Sequence, residues 1–240
     1  MDDWNRSLDF PSLLNARDLG GHPTVDGART RRGSLLRSDD LAQLTSEGLQ
    51  SLVDHGVETV LDLRWPEEIA HQPSPVSQVA GLRYESVSLF ADSPARWREL
   101  GGGCAKELRN CAALEHLQPQ LRQALQVIAA ASAGTLLFHC VAGKDRTGVI
   151  AALLLTLADV VPEAIAADYA ASTERLREAY LARYADADRA AIIEAVRCPE
   201  EGVYNMLAWL GDCGGVRAYL RRIGLSEAQI ARLRGRLRAA

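Results

Sequence analysis

Two hydrophobic patterns divide the chain: short apolar runs between turns, and longer runs with helical spacing. The short runs predict strands at 33–38, 57–63, 82–89 and 135–138. The longer runs predict helices at 45–55, 114–131 and 149–158, then one that begins at Pro162 and a separate one capped by Ser172 or Thr173. Further helices are predicted at 189–197, 202–210, 216–223 and 226–238. Because strands and helices alternate before the chain becomes helical, we expect an α/β fold, with a central, mostly parallel sheet of four or five strands flanked by helices and a helical C-terminal half.

The loop after the predicted strand 135–138 carries the clearest chemistry. It reads HCVAGKDRTG from His139 to Gly148. Backbone N–H groups in such a strand-to-helix loop bind an anion, and the positive end of the helix dipole assists them. The same field favours the thiolate form of Cys140, which makes Cys140 a candidate nucleophile. The predicted phosphate-binding residues are Val141, Ala142, Gly143, Lys144, Asp145 and Arg146.

Three neighbours of Cys140 are predicted to complete this site. The guanidinium of Arg146 is a planar fork of donors that matches two oxygens of a phosphate group. The hydroxyl of Thr147 can donate to the thiolate, and His139 can brace the loop from the end of the strand. We therefore expect Arg146 to act in catalysis and the other two residues to support it.

The segment HCVAGKDRTG resembles the signature of the cysteine-dependent phosphatases, and in particular that of the bacterial dual- and triple-specificity protein tyrosine phosphatases. Further segments also resemble this family, namely 15–21, 36–39, 56–64, 167–169 and 214–234. The resemblance implies the cysteine-dependent phosphatase fold and hydrolysis of phosphomonoesters through a phosphocysteine intermediate, without a cofactor or metal. It implies phosphotyrosine in proteins as substrate, with phosphoserine, phosphothreonine and phosphoinositides as additional substrates.

Two arginines outside the loop are predicted to support it. Arg17 either forms a buried pair with Asp18 that anchors the N-terminal segment beneath the loop, or adds positive charge at its rim; we favour the buried pair. Arg64 follows the predicted strand 57–63. It either lines the site together with Glu67, or forms an ion pair that fixes a loop, which is the commoner role.

Attack by a thiolate releases an alkoxide or phenoxide, which needs a proton from an acid on a separate loop. We prefer Asp92, which follows the predicted strand 82–89, because the family that the chain resembles carries its general acid in the matching loop. The alternative role of Asp92 is a helix N-cap. Asp145 is the main alternative proton donor, and Asp62 is a weaker one.

Residues 94–117 form an insertion between this acid loop and the next predicted helix. The family that the chain resembles carries a helical lid there, and the triple glycine from Gly101 to Gly103 provides a hinge. The alternative is a variable surface excursion. No linker divides the chain, so we expect one phosphatase domain over 1–240, with this insertion as a candidate lid.

Composition limits the location and the partners of the protein. A net charge of -4 gives no general attraction to nucleic acid or to an anionic membrane. The start of the chain, 1–4, has neither a basic nor an apolar stretch, so no signal peptide is expected. The longest apolar run, 149–157, is too short to span a bilayer, and we expect no stable membrane insertion. We expect a cytoplasmic protein, with export without a signal left open.

The five cysteines lack the paired spacing of a disulfide framework or a zinc site, and they fit a reducing compartment. Cys104 or Cys111 could protect Cys140 through a reversible disulfide, but we favour plain helical residues.

Two points of function stay open at the sequence level. Lys144 favours a substrate with an additional ring phosphate, whereas Val141 stands where lipid phosphatases of the tensin type carry a second lysine. We therefore prefer protein phosphotyrosine over phosphoinositide. The alternative to an enzyme is a binding module, which is catalytically silent and binds a phosphoprotein without hydrolysing it.

Overall fold

The computed structural model describes residues 7–238, so the segment 1–4 lies outside the described residues. Its sheet has five strands in the order β1-β2-β5-β3-β4, in which only the β1–β2 pair is antiparallel. The strands are β1 Arg17–Asp18, β2 Leu35–Ser38, β3 Val57–Asp62, β4 Arg83–Ser86 and β5 Thr135–His139. The mostly parallel α/β sheet expected from the sequence is confirmed. The two-residue strand β1 was not predicted, because it is too short to show a periodic pattern.

Eleven α-helices surround this sheet within residues 7–238, and six of them follow β5, which confirms the helical C-terminal half. The first of the six, α6, packs directly on the sheet. The helices are α1 Ser46–Asp54, α2 Pro66–His71, α3 Pro94–Trp97, α4 Lys106–His116, α5 Gln118–Ala130, α6 Asp145–Leu157, α7 Pro162–Arg183, α8 Arg189–Val196, α9 Glu201–Asp212, α10 Val216–Arg222 and α11 Glu227–Leu237. No helix among the described residues combines the length and the apolar character needed to cross a membrane.

The central strand β5 supplies side chains to two hydrophobic cores. Leu136 and Phe138 belong to the larger core, which includes residues of α5 and α6, whereas Leu137 belongs to the smaller core with Leu52 of α1. Successive side chains of a strand point to opposite faces of the sheet. Helices therefore cover both faces of β5, and the carboxyl ends of β2, β3 and β5 form one open edge at which the loop with Cys140 lies.

Two helix predictions were wrong in their boundaries. The predicted helix 114–131 is two helices, because Pro119 lies in the first turn of α5 and cannot continue the preceding helix. The predicted break near 172 is absent, and α7 runs through it. Ser172 suggested a cap, but its buried hydroxyl accepts hydrogen bonds from Arg17 and Asn15 instead.

The predicted strand 82–89 was too long, since β4 ends at Ser86 on the edge of the sheet. The chain then enters the insertion 94–117, which is helical. Gly101 kinks it with a φ of 106°, and Gly102 packs against the indole of Trp97, where an added Cβ would lie 2.3 Å from Nε1. That the insertion moves as a lid stays a prediction.

Candidate active site

The loop between β5 and α6 encloses Cys140 with backbone N–H groups. Donors outside the loop hold its carbonyl oxygens, and the contacts are Asp40 N to Val141 O at 3.0 Å, Asn15 Nδ2 to Ala142 O at 2.9 Å and Arg37 Nη2 to Gly143 O at 2.7 Å. The N–H and C=O groups of a trans peptide point in opposite directions. The N–H groups that follow these three carbonyls therefore point toward the interior of the loop, where an anion can bind.

Gly143 is the residue that allows the loop to close. Its φ is +65°, and an added Cβ would lie 2.4 Å from the carbonyl oxygen of Ser38 at the end of β2. A side chain there would strain the backbone and collide with β2. The close packing of the loop on the sheet edge thus requires glycine at this position.

Cys140 lies at the base of the loop and is only 2% exposed. The hydroxyl of Thr147 donates to its Sγ at 3.2 Å, as the sequence suggested. Helix α6 begins at Asp145, four residues before the predicted helix 149–158, which brings the positive end of its dipole closer to the thiol. The sulfur therefore has a hydrogen-bond donor and the positive end of a helix beside it.

Arg146 is held by a partner that the sequence did not identify. Its Nη1 lies 2.6 Å from Oε2 of Glu68 and its Nη2 lies 3.0 Å from Oε1, while the guanidinium lies 4.3 Å from the centre of the Trp65 ring. Burial lowers the pKa of Arg146, but the charges of Cys140 and Glu68 outweigh this effect and raise the pKa above its ordinary value. Arg146 is thus a fixed cation beside the thiol.

A buried ionic cluster centred on Asp168 of α7 supports the loop from below. Arg17 Nε lies 2.9 Å from Oδ1 of Asp168, and Arg37 Nη1 lies 2.5 Å from Oδ2. Burial, followed by the nearby charge of Arg37, lowers the pKa of Arg17 to about 10. Burial opposes the charge of Asp168, but Arg17 and Arg37 hold its pKa well below the ordinary range.

Arg17 therefore has the anchoring role that we favoured, but with a different partner. Asp18 accepts from the backbone N–H groups of Gly20 and Gly33 at 2.8 Å. Consecutive residues of a strand point to opposite faces, so Arg17 and Asp18 cannot pair across β1.

Arg64 forms the ion pair that was one of its two expected roles. It is fully buried, and its Nη2 lies 2.7 Å from Oδ2 of Asp62, while its Nη1 lies 3.0 Å from Asp40. The hydroxyl of Tyr84 donates to Asp62 at 2.6 Å, and His139 Nε2 lies 3.6 Å from the same carboxylate. Burial would raise the pKa of Asp62, but His139 and Arg64 lower it, so Asp62 is an ionised structural group.

Lys144 and Asp145 form a second ion pair at the start of α6, with 2.8 Å between Nζ and Oδ2. Burial lowers the pKa of Lys144, but Asp145 more than compensates and raises it. Burial likewise raises the pKa of Asp145, but Lys144, followed by Arg109 and Arg146, lowers it below its ordinary value. Asp145 is therefore ionised in the free protein at neutral pH.

A cavity of about 220 Å³ opens above Cys140. Its walls combine aromatic and charged groups and consist of Trp65, Phe90, Trp97, Arg109, Cys140, Val141, Ala142, Asp145 and Arg146. Phe90 and Trp97 stack with their ring centres 4.4 Å apart, and the indole N–H of Trp65 donates to the carbonyl of Phe90 at 2.8 Å. The cavity thus has a thiol and a cation at its base and an aromatic wall.

Of the three candidate proton donors, Asp145 is the one that lines this cavity. Asp92 is exposed on the loop between β4 and α3, outside the cavity wall. Ser93, not Asp92, caps α3, since its hydroxyl accepts from the backbone N–H of Arg96. Asp62 lies beneath the loop.

This geometry agrees with a comparison of the chain with known proteins. Residues 8–239 match the model of a tyrosine phosphatase family. The chain belongs to this tyrosine phosphatase family. It is 33% identical over 221 residues to the tyrosine-protein phosphatase of Nostoc commune, a match that covers 85% of this chain and 74% of the relative.

Two other members of the family match most of the chain. A protein of Cupriavidus necator, whose name also refers to a tyrosine-protein phosphatase, is 31% identical over 259 residues, with 95% of this chain and 87% of the relative covered. The triple specificity protein phosphatase PtpB of Mycobacterium tuberculosis is 27% identical over 272 residues, with coverage of 95% and 97%. The family resemblance expected from the sequence is confirmed.

Sequence reasoning missed several residues of this tyrosine phosphatase site. Glu68, Trp65, Phe90, Trp97 and Arg109 come from three separate segments, and no periodic pattern marks them. No capping-box signature marks Glu68, because Trp65 at the N-cap has no side-chain acceptor, although the Glu68 carboxylate accepts the backbone N–H of Trp65. Among the described residues, no group of three or more His, Cys, Asp or Glu is arranged to hold a metal ion.

Proposed function

We propose that this member of the tyrosine phosphatase family hydrolyses phosphomonoesters in two steps through a phosphocysteine on Cys140. The observation that supports it is the cavity in which Cys140 and Arg146 lie together above inward-facing N–H groups. In the first step the thiolate attacks phosphorus, an S–P bond forms, and the P–O bond to the leaving group breaks with its electron pair on oxygen. The N–H groups and Arg146 stabilise the negative charge of the transition state.

Proton transfer to the leaving oxygen is best assigned to Asp145. Its carboxyl group lines the cavity, whereas Asp92 would reach the substrate only if its loop closed. Lys144 holds the pKa of Asp145 below its ordinary value in the free protein, and a bound phosphate dianion would shift this pKa upward. In the second step water attacks phosphorus, the S–P bond breaks, and the same carboxylate accepts the proton from water. The sequence-based assignment of this proton transfer to Asp92 stays a prediction.

Protein phosphotyrosine is the substrate that the cavity suits best. The wall formed by Trp65, Phe90 and Trp97 can pack against a phenyl ring, whereas phosphoserine or phosphothreonine offers no aromatic surface. Activity on the shorter phosphoamino acids is proposed as a secondary property, since one relative is named a triple specificity phosphatase. Phosphoinositide activity receives less support, because Lys144 is buried and paired with Asp145.

The proposed mechanism needs no metal or cofactor, because the loop and Arg146 provide the positive charge at the phosphate. It does need a reduced thiol. All five cysteines are free, and Cys140 is buried. These features favour a reducing compartment such as the cytoplasm.

Hydrolysis of three substrates tests the proposed function. A phosphotyrosine peptide, the matching phosphoserine peptide and a phosphoinositide are incubated with the wild type and with Cys140→Ser, under reducing conditions and with a chelator. We expect turnover that is fastest with phosphotyrosine and absent in Cys140→Ser. Binding of the phosphotyrosine peptide without any turnover by the wild type would favour the silent phosphate-binding module.

A further inference from the structure

A second cavity lies at the opposite end of the sheet from the catalytic loop. Its volume is about 290 Å³, and its walls include Ser34, which precedes β2, and Ala133, which lies two residues before β5. The catalytic loop follows the carboxyl end of β5, so the two cavities are separated by the length of this strand. Five strand residues span about 16 Å.

Three arginines line this second cavity: Arg31 before β2, and Arg232 and Arg236 in α11. Arg232 and Arg236 are four residues apart and therefore share one face of the helix. Two neighbouring arginines have carboxylate partners. Arg234 of α11 pairs with Asp159, and Arg238, which directly follows α11, pairs with Asp26. No carboxylate within residues 7–238 forms an ion pair with any of the three arginines that line the cavity.

Arg236 is the most informative of the three. It is 9% exposed, and its Nη1 donates to the carbonyl oxygens of Ser132 and Gly134 at 2.6 and 3.1 Å. Its Nε and Nη2 are buried and have no hydrogen-bond partner among the described residues. Burial lowers the pKa of Arg236, and the charge of Glu58 opposes this effect. A buried guanidinium with unused donors is costly unless an acceptor joins it.

We propose that this second cavity binds a small molecule that carries phosphate groups. Three guanidinium groups around one cavity match the charge of a phosphate group, and their planar forks match its oxygens. The volume of the cavity is larger than that of the catalytic cavity, which suits more than one phosphate group. The site does not depend on Cys140, and its ligand is not the phosphoester that the catalytic cavity hydrolyses.

Gly235 provides a selective way to test the site. It lines the cavity, its φ is not positive, and an added Cβ would have no atom within 4 Å. Gly235→Asp places a carboxylate among the arginines, whereas Gly235→Asn places a neutral group of the same shape there. The two residues have similar helix propensities, so the pair differs mainly in charge.

Calorimetric titration with inorganic pyrophosphate at physiological salt is the experiment. We expect two binding sites per chain in the wild type and in Gly235→Asn, and one in Gly235→Asp, where affinity at the second site falls by about tenfold or more. The catalytic site is measured separately, by competitive inhibition of hydrolysis by pyrophosphate. That inhibition and the thermal unfolding midpoint should be equal in Gly235→Asp and Gly235→Asn.

Three results would overturn the proposal. The first is the absence of any site in the wild type beyond the one at which pyrophosphate competes with hydrolysis, and the second is equal binding to Gly235→Asp and Gly235→Asn. The third is tighter binding of citrate than of pyrophosphate in the wild type, because a phosphate site should prefer phosphate oxygens over carboxylates. If hydrolysis is absent in the wild type, the calorimetric comparison of the two Gly235 variants still decides whether the second site exists.

Discussion

Glu68 binds both Nη atoms of Arg146, at 2.6 and 3.0 Å, so the guanidinium beside Cys140 has one fixed orientation. Glu68 is itself held by the backbone N–H of Trp65. The first turn of α2 therefore sets the position of Arg146, although α2 lies far from the catalytic loop in sequence. Glu68 is a positioning residue for the proposed reaction.

Glu68→Ala should lower kcat/KM for an aryl phosphate by about tenfold, because the guanidinium loses its fixed orientation toward the phosphate oxygens. Glu67→Ala is the matched control, since Glu67 is the exposed neighbour on the same helix. Steady-state kinetics of the two variants provide the comparison. Equal rates in Glu68→Ala and the wild type would show that Arg146 needs no such partner.

The proton donor can be identified from the effect of the leaving group. Asp145→Asn should slow hydrolysis of phenyl phosphate by about a hundredfold and that of nitrophenyl phosphate much less, because nitrophenolate leaves without a proton. Asp92→Asn should leave both rates nearly unchanged. The reverse pattern, with a loss in Asp92→Asn alone, would assign the acid to the loop before α3, as the sequence first suggested.

Asp168 should contribute to stability in a pH-dependent way. Its pKa is depressed in the folded protein, so the contribution is complete above pH ~4 and declines by about 1.4 kcal/mol per pH unit below that value. Asp168→Asn leaves Arg17 and Arg37 without their carboxylate and should cost about 3–5 kcal/mol at pH 7. The difference from the wild type should shrink on acidification.

Urea unfolding at pH 7 and at pH 3 measures this effect. Asp186→Asn is the control, because Asp186 is an exposed residue in the turn after α7. A difference between Asp168→Asn and the wild type that is the same at both pH values would contradict the assignment of an ionised, buried Asp168.

Trp97 should contribute to the preference for phosphotyrosine. Trp97→Leu removes one ring of the aromatic wall and should lower the ratio of kcat/KM for phosphotyrosine over phosphoserine peptides by about tenfold. Trp209→Leu is the control, because Trp209 packs against Tyr219, outside the cavity. An unchanged ratio in Trp97→Leu would remove the aromatic wall as the source of selectivity.

Strands β3 and β5 and the place of the loop with Cys140 could be predicted because their information is local: a buried apolar run, then a glycine-containing loop, then a helix. The partners of the arginines could not be predicted. Arg17 pairs with Asp168, a residue distant in sequence, and the sequence pattern does not show which helix crosses beneath β1. The same holds for Glu68, since only the fold brings α2 next to Arg146.

Two predicted helix boundaries were wrong, one at Ser172 and one at Pro119. Serine is a common helix N-cap, which suggested a break at Ser172. In the fold, the side chains of Asn15 and Arg17 donate hydrogen bonds to its hydroxyl, and α7 continues. Pro119 was the stronger signal in the segment 114–131, and it separates α4 from α5 as its missing N–H requires.

Trapping of the phosphoenzyme tests the central claim most directly. The wild type is mixed with an aryl phosphate, quenched in acid within a single turnover, and digested for mass spectrometry. We predict one phosphoryl group on the peptide that contains Cys140, and none on that peptide from Cys140→Ser. A full turnover of product with the phosphoryl group absent from Cys140, or present on another residue, would contradict the phosphocysteine mechanism.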